Sequence, residues 1–365
     1  MRWTALAELA PYYPLYALFF LATGLTDAEI SGLFALWSVT GFLAEVPAGA
    51  LADRWSRRGC LVLASLLEAV GFALWTALPG LPGFAAGFVL WGLGGALASG
   101  AAEALIYDGL AAAGAAEAYP RVNGWISATS LAVQLPTAGL ATGLSAVGGF
   151  PLVGWVSVAV CLVAALAALG LPEPPRSSDP SDGDVGFRTA LAALNRPGLL
   201  LLVLALAVLG GLDAVEEYFP VMAGSWGVPT VLVPLAVLAI PLAGAAGAAL
   251  AGRAARWPVA VLAALLGGAA VLLGVAAVWA RPSALVVVAA SYGLYMAVLV
   301  VAEARLQERI RGRYRATLTS VAALGVELTS LAVFAAWAVG GALAIAVLVL
   351  AAVPVLAVAL RSPRP

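Results

Sequence analysis

The chain has 365 residues, of which 63% are hydrophobic and only 10% charged, with a formal net charge of −1 and a mean hydropathy of +1.04. A water-soluble domain of this size needs far more charge to cover its surface, so that class is excluded. All 18 basic residues are arginine and histidine is absent, which removes the commonest acid–base group and metal ligand, and no metal or cofactor is expected.

Apolar runs of bilayer-crossing length follow one another at about 5–24, 29–51, 60–79, 84–106, 122–144 and 151–170. The first begins near Ala5 behind one arginine and reaches full spanning length, so no separate signal peptide is expected. It carries Tyr12, Tyr13 and Tyr16; Tyr12 and Tyr16 are candidates for lining a largely apolar substrate cavity, with interface anchoring as the alternative. The second run contains Glu45 and ends in Gly49-Ala-Leu-Ala-Asp53-Arg54-Trp-Ser-Arg57-Arg58. The third holds Glu68, and the fourth holds Glu103 and ends at Asp108. Trp125 and Gln134 on the fifth are further cavity candidates. Cys60 and Cys161 read as small buried hydrophobes, not as a disulfide or a metal site.

The stretch from Glu173 to Asp184 has the Pro, Ser and Asp content of a solvated linker. It sets the expected organisation: a six-helix bundle over 1–171, a cytoplasmic linker over 172–196 and a second six-helix bundle over 197–365. Six more runs follow, at about 197–220, 229–251, 258–279, 283–303, 316–338 and 342–360. Asp213 and Glu217 lie four apart on the seventh, hence on one helix face, behind a Gly210-Gly211 pair that lets the helix bend; a solvated mouth is the better reading of Glu217. Tyr292 and Tyr295 on the tenth are cavity candidates, and Glu303 ends that run beside an arginine-rich loop. Glu327 sits in the middle of the eleventh.

Arginine placement orients the chain. With the N-terminus inside, every arginine except Arg281 falls on the cytoplasmic side, and an even number of spans puts both termini there. An internal repeat supports two halves: Gly49–Arg57 has an echo in Ala248–Arg256, and Ala102–Asp108 has one in Ala302–Glu308, each six spans on.

The segment Gly49, Asp53, Arg54, Arg57, Arg58 resembles the cytoplasmic loop motif of the major facilitator superfamily between helices two and three, with Ser56 where a second Gly is usual. Glu45-Val-Pro47, Glu103–Asp108 and Arg315–Ser320 resemble a large bacterial, drug/proton antiporter-like branch. Helix four has no arginine, and Gln134–Gly143 matches the exporters' helix-five signature only in part, so the chain departs from the exporter pattern at both places. The resemblance implies an all-α integral membrane fold of 12 transmembrane helices in two six-helix pseudo-repeats, and a gate that holds the cytoplasmic side closed. In that gate Arg54, Arg57 and Arg58 can pair with Asp108, while Asp53 can meet the positive N-terminus of helix eleven at Arg315. Gly49 is expected to let helix two approach a neighbour.

Carboxylates inside spans are costly and are proton-carrying candidates by default. Asp213 and Glu327, lacking nearby arginines in the sequence, lead; Glu45 and Glu103 stand between that role and structural pairing with the arginine cluster. Glu68 is expected to be structural, because helix three is peripheral in the superfamily. The expected function is a monomeric secondary transporter of the bacterial inner membrane, exporting a small amphipathic molecule against protons. An importer or facilitator of a sugar or metabolite is the alternative, and a non-transporting receptor or scaffold is the reading from another class. With no nucleotide-binding loop and no large soluble domain, neither an enzyme nor a nucleic-acid partner is expected.

Overall fold

The computed structural model describes residues 1–173, 197–254, 257–309 and 315–361. Most of the expected linker, and Arg256, Arg311 and Arg313 of the arginine-rich loops, lie outside the described residues. Those described are helical, without strands. The chain falls into two compact units: Met1–Asp179 with Pro229–Leu235, and Pro180–Val228 with Ala236–Pro365. Among the described residues, eight helical stretches are long and apolar enough to cross a membrane.

Unit one opens with α1 (Arg2–Ala7) and α2 (Tyr16–Ala22), where a single span is expected. The break is the work of Pro11 and Pro14, which cannot donate to the carbonyls four residues back and whose rings clash with them. Neighbours satisfy the freed backbone. The Tyr13 hydroxyl donates to Ala7 O (3.0 Å), the carbonyl that Pro11 cannot serve. Tyr12 N donates to Ser157 Oγ (3.0 Å) and Thr137 Oγ1 to Glu8 O (3.2 Å). Buried backbone outside a helix survives only with such partners.

Next come α3 (Asp27–Arg54), α4 (Arg57–Ala77), α5 (Leu81–Ala112) and α6 (Tyr119–Leu169). A reciprocal Thr26/Glu29 capping box starts α3, and Ser56 Oγ accepts from Gly59 N (2.8 Å) to start α4. At 51 residues α6 would be about 75 Å long, but it breaks at Gly149, where φ is 59° and ψ −160°. One end of the bundle is packed with rings: Phe20, Phe34, Trp75, Phe84 and Phe88 are fully buried, with Phe20 and Phe84 centroids 4.2 Å apart. The end nearer Arg57 is packed with small residues, among them Ala48, Ala52, Cys60, Ala64 and Ala101. The expected close approach of helix two is there: a Cβ on Gly100 of α5 would stand 4.0 Å from Gly49 Cα, although one on Gly49 itself would meet nothing within 4 Å. The approach is tighter about two turns earlier, where Gly41 packs on Gly92.

Unit two contains α7 (Pro197–Gly211), a 3-10 segment (Leu212–Tyr218), α8 (Phe219–Ser225), the last two residues of α9 (Val233–Val237, whose first three belong to unit one), α10 (Ala239–Ala254), α11 (Val259–Trp279), α12 (Ala284–Arg309) and α13 (Arg315–Arg361). Gly210 and Gly211 let α7 press on Val326 and Thr329 of α13, and the chain then tightens into the 3-10 segment. Because 3-10 geometry turns every three residues, Asp213 shares a face with Glu216 and not with Glu217 as the α-helical count expects. The long α13 breaks at Gly340 and Gly341.

Candidate functional site

Three groups of polar side chains stand out. The first lies on the loop joining α3 to α4. The Arg57 guanidinium donates to Asp108 near the end of α5 and to Ala104 O (3.2 Å), and its other amino group lies 3.7 Å from Asp53. Asp108 is 6% exposed and Asp53 71%, so one arm of this bridge is dry and the other wet. Arg54 is exposed. Arg58 reaches Leu171 O (3.4 Å). Glu173 was not singled out by sequence reasoning, since its Glu-Pro-Pro setting reads as linker. Its carboxylate accepts from Ser56 Oγ (2.8 Å) and Arg57 N (2.9 Å), capping the positive end of α4. In unit two the matching loop is held by Arg305, whose Nη2 donates to Trp257 O (2.6 Å).

The second group surrounds Asp213. The Tyr292 hydroxyl donates to Asp213 Oδ1 (2.9 Å), and the Tyr295 hydroxyl donates to Leu209 O (2.5 Å), a carbonyl left over where α7 ends. Both tyrosines are buried and line a small cavity of about 20 Å³ with Phe219 and Ser291, room for a water and little more. Glu303 and Glu327 are half-buried on α12 and α13.

The third group was only half visible in the sequence. Glu68 accepts from the Tyr13 hydroxyl at 2.5 Å, and Glu8, at the break after α1, accepts from Ser130. Both carboxylates line a cavity of about 210 Å³ within unit one. Glu8 had a signal that was overlooked: it is an acid three residues before a proline in a span of tyrosines and prolines.

The other candidates are dispersed. Glu45 and Glu103 are exposed, and among the described residues neither makes an ion pair, so the expected pairing with Arg54, Arg57 or Arg58 is not formed here. Tyr12 and Tyr16 are buried in the aromatic core, 5.9 and 5.8 Å from Trp75, which makes them packing groups in this conformation. Trp125 and Gln134 occupy exposed positions on α6.

The fold is shared by structures of very different sequence. A bacterial homologue of the human lysosomal transporter Spinster aligns over 98% of this chain and 94% of its own, at 16% identity and a TM-score of 0.77. The nucleoside transporter NupG aligns over 98% of both chains at 13% identity and 0.75, and a D-xylose–proton symporter over 97% and 95% at 14% and 0.73. No curated protein matches in sequence. The profile of the Major Facilitator Superfamily matches residues 3–330, and the chain belongs to that family of transporters.

Proposed function

We propose that the chain is a proton-coupled secondary transporter with 12 spans, moving a small amphipathic molecule outward by alternating access. One observation carries this reading. The chain departs from α-helix in two places, between α1 and α2, where turns replace it, and between α7 and α8, where a 3-10 segment joins them; in the twelve-span reading these places lie six spans apart. Each break has an acid beside it: Glu8 in one, Asp213 in the other. Broken helices in corresponding spans mark the substrate and ion sites of transporters built from repeats. The bundles are 1–171 and 197–365, joined by the cytoplasmic linker 172–196. Arg57, Asp53 and Asp108 form the cytoplasmic gate, and Gly49, Arg54 and Arg58 complete its motif. Asp213 carries the proton; Glu327, Glu103 and Glu45 are the other acids open to that role. The protein works as a monomer in a bacterial inner membrane with both termini in the cytoplasm.

Import is the second reading, and a specific likeness favours it: the nucleoside transporter and the xylose–proton symporter share this fold. Transport in proteoliposomes under an imposed pH gradient separates the two. Outward reading expects an amphipathic dye to accumulate in inside-out vesicles with an acidic lumen, and Asp213→Asn to abolish that accumulation while leaving downhill exchange. Full accumulation by Asp213→Asn would remove Asp213 as the proton carrier.

Topology is tested by single-cysteine labelling on a background in which buried Cys60 and Cys161 react slowly. Ala113→Cys is expected to label only from the cytoplasm and Ala28→Cys only from outside. Labelling of both from one side would overturn the span map.

A further inference from the structure

The half-open cavity of unit one, between α1, α4 and α5, has a wall of unusual composition. About 210 Å³ is an order of magnitude more than the ~10–15 Å³ that admits one water, and exceeds the about 150 Å³ in which an engineered protein cavity accepts benzene. Its wall includes two carboxylates, Glu8 and Glu68, and three aromatic rings, Trp3, Tyr13 and Trp91, but no arginine. Tyr13 and Trp91 are stacked, with centroids 5.6 Å apart and planes 13° from parallel, so they act as one slab.

Three donors of this wall are already in use. The single Tyr13 proton is shared between Ala7 O and Glu68 Oε1, Trp3 Nε1 donates to Ser65 Oγ (3.3 Å), and Ser65 Oγ donates to Leu61 O (3.1 Å). What remains is two carboxylates and ring faces, acceptors and negative quadrupoles, with the Thr4 hydroxyl and the Trp91 indole N–H as the other donors and no positive charge. An anion would be repelled, and a neutral sugar would leave the two negative charges uncompensated. Among the described residues no group of three His, Cys, Asp or Glu side chains stands together to hold a metal ion. The chemistry that matches is a cation with N–H donors and an apolar body.

We propose that this cavity is a binding site for a small aryl- or alkylammonium, its nitrogen between the Glu8 and Glu68 carboxylates and its apolar part among Trp3, Tyr13 and Trp91. That such a molecule is also the transported substrate rests on the transporter reading; the binding itself does not.

The test uses the purified full chain in lipid nanodiscs, titrated calorimetrically with benzylammonium and with its neutral and anionic counterparts, benzyl alcohol and benzoate. Benzylammonium is expected to bind and to raise the unfolding midpoint, and the other two to do neither. Glu68→Gln and Glu8→Gln are each expected to weaken binding at least tenfold, and Glu117→Gln, an exposed acid elsewhere, to leave it unchanged. If Glu68→Gln does not fold, Glu8→Gln decides. No binding of benzylammonium, equal binding of benzyl alcohol, or full affinity in Glu8→Gln would overturn the site. Binding that persists in a protein unable to move any substrate along a pH gradient would instead overturn the transporter reading and leave the site standing.

Discussion

Asp108→Ala is expected to destabilise the protein by about 3–5 kcal/mol, the usual cost of removing one partner from a buried ion pair. The Arg57 side chain is only 16% exposed, and its Nε already lacks a hydrogen-bond partner. Without Asp108 the guanidinium keeps Ala104 O and the distant, wet Asp53. Asp53→Ala is the matched control. That pair is solvent-exposed on the carboxylate side, so its loss is expected to cost no more than about 1 kcal/mol. Reversible unfolding of both variants in one detergent measures the difference, and equal losses would mean that burial does not distinguish the two arms. In the proposed transport cycle the same bridge breaks at a lower cost, because opening the cytoplasmic side hydrates both charges where the variant strands one. A folded Asp53→Asn protein that populates the inward-open state more than the parent is therefore compatible with a strongly destabilised Asp108→Ala.

Gly247→Ala is the second large effect. Helices α10 and α12 meet through Gly244, Gly247 and Gly293, and a Cβ on Gly247 would fall on the carbonyl of Gly293. The obstacle is backbone and cannot rotate aside, so the helices must separate. Overpacking of this kind costs about 1–3 kcal/mol and more when nothing yields. In a bilayer the loss matters especially, since helices there associate by close packing and not by exclusion of water. The strain also reaches Asp213, because Tyr292, which bonds it, packs against Gly244. Gly49→Ala is the counterpart. Its Cβ enters open space, and the exchange inside a helix is expected to leave stability unchanged or raise it by about 0.5–1 kcal/mol. Melting both variants side by side checks the contrast, and a Gly247→Ala protein as stable as the parent would refute the α10–α12 contact.

The helical membrane class was legible in composition alone, and the Arg57–Asp108 bridge was legible in the order of acid and arginine around the α3–α4 loop. Three features were hidden, each for a physical reason. Hydropathy counts residues and is blind to donors, so a first span containing Pro11 and Pro14 reads as continuous although two carbonyls lose their partners. The α-helical count of four places Glu217 with Asp213, whereas the 3-10 turn after Gly211 brings Glu216 round instead. Glu8 and Glu68 lie sixty positions apart, and only the fold of α1 against α4 brings them to one cavity. Gly49 gave part of the picture: its backbone lies close to Gly100 of α5, but the tighter contact of the same two helices is made by Gly41 on Gly92.

The cap that Glu173 places on α4 also bears on how the chain is made. Every partner that α4 needs at its start (Ser56, the Glu173 carboxylate and, for Arg57, Asp108) is encoded in the first 173 residues. A ribosome that has released this much chain has delivered these partners before any of the second half exists. The same accounting places the earliest tolerable cut in the gene after Glu173, not at the end of α6 four residues before it.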